Sequence, residues 1–366
     1  MSPKPTPTTA AVLRSPGGPF TVEDVLLDAP RAGEVVVRLV GVGICGTDLE
    51  FATMMAPPVV LGHEGAGVVE QVGEGVADLA PGDHVAMTFA SCGECVRCSQ
   101  GAPAYCDRFW EFNFTGARPD GSTALSQDGA PVAGHFLGQS SFARHALARR
   151  SSVVKVPEDV DLTVLGPFGC GFQTGAGGVL NVLRPAPGSS IGVFGAGAVG
   201  AAAILAAVEA GCTTIVAVDV NPAKLEQARA LGATHVLRSD EGDLPARVRE
   251  IVPAGLQHSL DTTGRADVLR AAVESLGQLG TCGVIGVGPS AEMSFEWRSI
   301  LNGRTVTGIT AGSSVPEEFL PRLVQLYRDG RFPVDGLLTR YPFADVERAV
   351  GDVRSGAVGK AVLVFD

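Results

Sequence analysis

Ser190-Ile191-Gly192-Val193-Phe194-Gly195-Ala196-Gly197-Ala198-Val199-Gly200 is a short apolar run, a Gly-x-Gly-x-x-Gly turn and the start of an alanine-rich stretch. The order predicts a strand, a tight turn and a helix. Gly195 makes the turn, Gly197 lets a pyrophosphate approach the backbone, and Gly200 packs helix on strand. The helix then presents free N–H groups to phosphate. The motif alone is weak in a chain with 48 glycines, and its neighbours strengthen it. Ile215-Val216-Ala217-Val218-Asp219 reads as the next strand, ending on an acid 19 residues past Gly200. A carboxylate there accepts hydrogen bonds from ribose hydroxyls and repels a 2′-phosphate, which favours NAD over NADP. The plainer reading makes Asp219 a turn or cap residue before Asn221-Pro222. Lys224 is either a second ribose contact or a solvated helix residue.

Outward from this turn, strands alternate with helices. Ser190–Phe194, Thr214–Val218, His235–Leu237, Ser259–Asp261 and Thr281–Val287 read as strands. Ala198–Ala210, Pro222–Leu231, Ala246–Val252 and Ala266–Ser275 read as helices. That alternation predicts a doubly wound parallel sheet. Residues 34–85 read as short strands split by Gly and Pro, and 86–150 as irregular. The tail has helices at Pro316–Asp329 and Phe343–Ser355 and a strand at Lys360–Phe365. The chain is therefore α/β: a β-rich domain, a doubly wound domain, and a tail returning to the first.

The 366 residues carry a net charge of −11, which argues against nucleic acid and anionic membrane partners. The apolar share of 45% against 18% charged suits a buried core rather than disorder. Ile191–Val208 is an uncharged stretch of membrane-spanning length, but its glycines and alanines suit the turn and helix better. The proline-rich start, Met1–Phe20, reads as a floppy leader running into a strand, with no signal-peptide core. A soluble, cytoplasmic protein is expected.

Eight cysteines are present, and four fall within fifteen positions as Cys92-x2-Cys95-x2-Cys98-x7-Cys106. Four thiolates close a tetrahedral shell around a structural zinc, and an iron–sulfur cluster also takes four. Cys45, His63 and Cys170 lie in Gly-rich contexts. Two thiolates and an imidazole leave zinc an open position. Each has a bland reading by itself, as a core thiol, a buried imidazole or a thiol in a turn.

Gly62-His63-Glu64-x-x-Gly67 followed by Gly73, the four-cysteine lobe, the Gly195/Gly197/Gly200 turn and Asp219 stand in the order and spacing of a known family. From about Val35 onward the chain resembles the zinc-dependent medium-chain alcohol dehydrogenases. The resemblance implies a GroES-like β-rich catalytic domain over 1–174, with a structural zinc lobe at about 90–108. A Rossmann NAD domain over 175–310 and a return to the catalytic domain over 311–366 complete it. It implies a catalytic zinc on Cys45, His63 and Cys170, with Glu64 a nearby or transient ligand. It places Thr174, Gly195, Gly197, Gly200, Asp219, Lys224 and Val287 at the cofactor. It implies a homodimer or homotetramer, for which Thr281–Val287 and the Gly-rich segment after it would pair across a two-fold axis.

By the same resemblance, Thr47 takes the first proton of the alcohol, though it also reads as a helix cap. The family's relay histidine is replaced by Glu50, and its basic pyrophosphate contact by Gly46. Of 21 aromatics, five crowd into Tyr105, Phe109, Trp110, Phe112 and Phe114, with Phe89 before the lobe. Trp110, Phe112 and Phe114 alternate and would share one face of a strand. They form either a local core or, with Phe89, the wall of an apolar substrate channel. Phe109–Phe114, Leu137–Ala143 and Gly169–Asn181 resemble the aryl-alcohol (benzyl alcohol) dehydrogenase branch. This implies NAD-linked interconversion of apolar alcohols and aldehydes, benzylic first and allylic terpenoid second. Oxidation of a thiol adduct of formaldehyde calls for basic residues at the mouth, where the sequence is aromatic. A zinc-free quinone reductase lacks such cysteines and prefers NADPH.

Overall fold

The computed structural model describes residues 4–288 and 292–366. In chain order it begins with β1 (Thr6–Leu13), β2 (Phe20–Leu27), β3 (Glu34–Gly43), α1 (Gly46–Phe51), β4 (Val59–Val60), β5 (Glu64–Val72) and β6 (His84–Met87). Next come α2 (Val96–Ser99), α3 (Phe109–Phe114), β7 (Leu125–Gln127), β8 (Ala130–Val132), β9 (His145–Arg149), β10 (Val153–Lys155), α4 (Leu162–Leu165) and α5 (Gly171–Gly177). The alternating segment follows as β11 (Ser190–Phe194), α6 (Ala198–Glu209), β12 (Thr214–Asp219), α7 (Pro222–Ala230), β13 (His235–Arg238) and α8 (Leu244–Ile251). It continues as β14 (Leu256–Asp261), α9 (Ala266–Glu274), β15 (Leu276–Val284), α10 (Trp297–Leu301) and β16 (Thr305–Gly308). The tail is α11 (Pro316–Arg328), β17 (Leu338–Pro342), α12 (Val346–Ser355) and β18 (Lys360–Val364).

The chain forms two compact units. One comprises Met1–Gly171, Val315–Arg328 and Val334–Asp366, and the other Phe172–Ser314 and Asp329–Pro333. The first is β-rich. Its larger sheet runs β10-β6-β5-β3-β18-β17, with β9 also on β3, and its smaller runs β4-β1-β2-β7-β8. β18 lies antiparallel to β3, which places the last strand of the chain beside the strand leading to Cys45. The leader read over Met1–Phe20 as running into a strand is corrected for the described residues, where the strand already begins at Thr6. Residues 6–13 are β1, paired along their whole length with β2.

The second unit is a six-stranded parallel sheet in the order β13-β12-β11-β14-β15-β16. All five residues of β11 are buried, as suits a central parallel strand covered on both faces. α6 is buried from Gly200 to Ala207, and its alanines give both high helix propensity and a thin profile against the sheet. α7 starts on Pro222, capped by the Asn221 side chain accepting from the Ala223 N–H. Ile191–Val208 is thus split into strand, turn and helix. Among the described residues no helix is long and apolar enough to cross a membrane.

Two elements differ from expectation. The strand expected at Thr281–Val287 runs Leu276–Val284 and has neighbours on both sides, β14 and β16. β16, not β15, therefore ends the sheet, and Thr281–Val284 has no free edge for the pairing expected across a two-fold axis. Trp110, Phe112 and Phe114, in a stretch read as irregular and able to share one face if on a strand, lie on the helix α3. Trp110 and Phe114 are one helical turn apart and share a face, while Phe112 points the other way.

Candidate active site

β3 delivers Cys45 to the N-cap of α1. Asp48, wholly buried in the first turn of that helix, ties the site together. Its Oδ2 accepts from the Cys45 N–H at 2.9 Å, and its Oδ1 from the Gly62 N–H at 3.1 Å. The same Oδ1 lies 2.7 Å from His63 Nδ1. That contact fixes the ring and leaves Nε2 to face the sulfurs, the arrangement of a carboxylate-oriented metal ligand. His63 Nε2 is buried with no hydrogen-bond partner. Gln139 clamps the backbone on both sides, donating to the His63 carbonyl at 2.8 Å and accepting from the Gly65 N–H at 3.1 Å.

Cys170 arrives from a separate turn over Gly166–Gly169, whose last carbonyl accepts from Thr88 Oγ1 at 2.8 Å. A Cβ on Gly169 would run into the Met87 carbonyl oxygen, so only glycine lets the turn lie this close. One ligand atom from each of Cys45, His63, Glu64 and Cys170 lies within 4.8 Å of the others. A hydrogen bond from Cys170, helped by the Lys360 ammonium and opposed by burial, holds the Cys45 thiol well below its ordinary range. The same bond, with burial, holds Cys170 well above. Two soft sulfurs and an orphaned imidazole nitrogen fit zinc.

The second cluster is the four-cysteine lobe. Cys106 and Cys92 sulfurs are 3.5 Å apart, and the Cys92–Cys98 and Cys95–Cys106 pairs 3.9 Å. Zinc–sulfur bonds of about 2.3 Å give tetrahedral edges of about 3.8 Å. The Cys95 N–H points at Cys92 Sγ, and the Cys98 and Asp107 N–H groups at Cys95 Sγ, at 3.3 to 3.5 Å. Such donors stabilise thiolates.

Among the other expected residues, Thr47 Oγ1 lies 3.8 Å from Cys45 Sγ, and Glu50 is exposed on the same helix. Glu64 is wholly buried against Lys360. In the second unit Gly195 adopts φ 96°, and a Cβ on Gly200 would run into its carbonyl. Around Gly197 there is open space. Asp219 Oδ2 accepts from the Ala196 N–H at 2.8 Å and Oδ1 from the Asn221 N–H at 2.9 Å. It braces the glycine turn, while Asn221 caps the helix. A cavity of about 240 Å³ opens here, lined by Gly195, Val218, Asp219, Ser239 and Thr263 among others. Lys224 is half-buried on α7, Thr174 is buried on α5, and Val287 is exposed beyond β15.

The aromatic residues form a row. Phe136 meets His63 edge-on at 5.5 Å, Phe51 lies 5.3 Å from Phe136, and Phe114 stacks on Phe51 at 4.6 Å. Trp110, 63% exposed, ends the row 4.8 Å from Phe114. Phe89 is buried and packs on Phe109. Phe112 sits between the Arg108 and Arg149 guanidiniums, at 4.7 and 4.6 Å. Sequence reading missed Asp48, Phe51, Phe136, Gln139 and Lys360. Asp48 alone had a local signal, an acid three residues after a helix N-cap.

The comparisons agree with this geometry. Residues 31–158 match the alcohol dehydrogenase GroES-like domain, and residues 198–328 match the zinc-binding dehydrogenase family. The chain belongs to the zinc-dependent medium-chain alcohol dehydrogenase family, with a GroES-like domain and a Rossmann-like parallel sheet. It is 43% identical to a geraniol dehydrogenase of Castellaniella defragrans, over 97% of each chain. An alcohol dehydrogenase zinc-binding domain protein from Burkholderia ambifaria superposes with a TM-score of 0.97 at 47% identity, covering 99% of this chain and 100% of that one. Benzyl alcohol dehydrogenase from Acinetobacter calcoaceticus superposes with a TM-score of 0.95 at 40% identity, with the same coverage.

Proposed function

We propose that the protein oxidises aromatic (benzylic) primary alcohols to aldehydes, reversibly, with NAD. The observation that carries this reading is the row of rings from Phe136 beside His63 out to exposed Trp110, flat apolar walls suited to a flat apolar substrate. Cys45, His63 and Cys170 hold one zinc, and Cys92, Cys95, Cys98 and Cys106 a second, structural one. Bound zinc supplies a Lewis acid that acidifies an alcohol, and bound NAD the hydride acceptor.

The rest is the work of the chain. Asp48 keeps the His63 ring turned so that Nε2 is free to ligate. Thr47 Oγ1 receives the hydroxyl proton, and exposed Glu50 on the same helix passes it to solvent. The Gly195–Gly200 turn seats the pyrophosphate on the start of α6. Asp219 and Lys224 take the adenosine ribose, and Thr174 and Val287 lie at the nicotinamide end. Phe89 and Trp110 border the substrate. A second reading, oxidation of an allylic terpene alcohol, is favoured by the 43% identity to a geraniol dehydrogenase. Both substrates carry unsaturation next to the carbinol carbon, which stabilises the aldehyde by conjugation. The active species is a homodimer or homotetramer, checked by light scattering.

The deciding experiment is NADH formation with benzyl alcohol, geraniol and ethanol in parallel, on protein of assayed zinc content. We expect turnover of benzyl alcohol above geraniol, and both far above ethanol. Geraniol ahead of benzyl alcohol would select the second reading. Equal turnover of ethanol and benzyl alcohol would overturn both.

A further inference from the structure

Lys360 opens β18 and is only 4% exposed. A buried ammonium is costly unless it is paired and fully hydrogen-bonded. Here its Nζ donates to Glu64 Oε2 at 2.7 Å, to Glu64 Oε1 at 2.9 Å and to the Ile44 carbonyl at 3.1 Å. Those contacts use every donor that a lysine has. Glu64 Oε1 also accepts from the Gly171 N–H at 3.1 Å. A Cβ on Gly43 would run into Glu64 Oε2, so the carboxylate lies in a slot shaped to hold it. Yet a Glu64 oxygen is within 4.8 Å of the ligand atoms of Cys45, His63 and Cys170.

We propose that Lys360 is a positioning residue that holds the Glu64 carboxylate in this slot and so keeps it from closing the open metal position. The inference rests on the metal assignment for Cys45, His63 and Cys170. The charge balance supports it. Two thiolates and the buried Glu64 and Asp48 carboxylates, four negative charges, face a dication and the lysine ammonium, so the site has no positive charge to spare. Without the ammonium, the carboxylate is a buried anion with one backbone donor. The nearest cation left is then the metal itself, and a short side-chain movement brings an oxygen to it. Such a metal would have four protein ligands, and its open tetrahedral position would be filled by the carboxylate rather than by an alcohol.

The test uses cobalt-substituted protein, whose visible bands report the ligand set. Bands that vanish in Cys170→Ser belong to this site. In Lys360→Met we expect those bands to shift, and kcat to fall about 10–100-fold with little change in KM. Adding Glu64→Gln to Lys360→Met should return the bands and kcat to those of Glu64→Gln alone. Lys360→Gln, which keeps a neutral donor and loses the charge, is read in the same way if Lys360→Met folds poorly. Unshifted bands in the neutral variants, or no recovery on adding Glu64→Gln, would overturn the proposal and leave the lysine a structural tie. If no band of the wild-type protein depends on Cys170, the metal assignment fails, and the proposal with it.

Discussion

Asp219 uses both carboxylate oxygens on backbone N–H groups, those of Ala196 and Asn221. A carboxylate has room for about four acceptor contacts, so it can serve a ribose and brace the turn together. On the proposed NAD assignment, Asp219→Ser removes the charge that repels a 2′-phosphate along with the ribose contact. KM for NAD should rise about tenfold or more, and the NADP/NAD ratio of kcat/KM should rise with it. A ratio unmoved by the substitution would sink the specificity assignment. Gly46 is the converse case, an exposed position where a Cβ would meet nothing within 4 Å. Gly46→Arg should fit without strain, lower the NAD dissociation constant about tenfold and slow NADH release. An unchanged constant and release rate would count against a missing pyrophosphate contact. His135 offers a pH signature. Burial, with the Arg118 charge adding to it, pushes its pKa from 6.5 down to about 4, against the pull of Glu34 and Asp28 and with Arg31 on the Arg118 side. Below pH 6.5 the unfolded chain takes up a proton that the folded chain refuses until about pH 4. Stability from this group is whole above pH 6.5 and is lost as pH falls through that window, by about 3 kcal/mol in all. His135→Asn tolerates the local φ of 57° and should flatten the pH dependence of Tm by that amount between pH 6.5 and 4.

At the scale of elements, α3 separates two roles that alternating aromatics had merged. Trp110→Ala should raise KM for benzyl alcohol several-fold and leave Tm within a few degrees, because the ring is largely exposed. Phe112→Ala should do the reverse, costing about 3–5 kcal/mol in urea unfolding with little change in KM, because that ring is buried between two guanidiniums. Equal effects of the two substitutions would refute the helical assignment of faces. The sequence left the faces open here because Trp110, Phe112 and Phe114 satisfy a period of two, while Trp110 and Phe114 also satisfy a helical turn. The choice is made by Asn113, which accepts from the Ala90 N–H and donates to the Ala90 and Phe109 carbonyls. No local pattern announces those bonds. The doubly wound unit was legible because short strand, turn and helix recur along it, with Asn221 and Asp243 capping α7 and α8. The cysteine lobe was legible because its four cysteines are close in sequence. Lys360 was not, since 296 residues separate it from Glu64. Phe51 and Phe136 were not, since only the folded chain stacks them beside His63.

Across the whole molecule, the proposed metal sites divide folding from chemistry. From Cys92 to Cys106 only Ala104 and Cys106 are buried, so the lobe has little core of its own. A structural metal there is folding free energy. Cys95→Ser should leave about one zinc per chain and lower Tm by about 10 °C, for a loss of about 3–5 kcal/mol. It should also open the lobe to proteolysis after Arg97, an exposed residue on α2. Cys170→Ser removes a proposed ligand from a site whose surroundings are already packed and hydrogen-bonded. It too should leave about one zinc per chain, but with Tm nearly held and turnover abolished, since the remaining donors cannot hold an open tetrahedral site. NADH binding, followed by its fluorescence, should survive in both variants, because the glycine turn and Asp219 belong to the other compact unit. Loss of NADH binding in Cys170→Ser, or a full complement of zinc in Cys95→Ser, would show that the sites are not separate in this way.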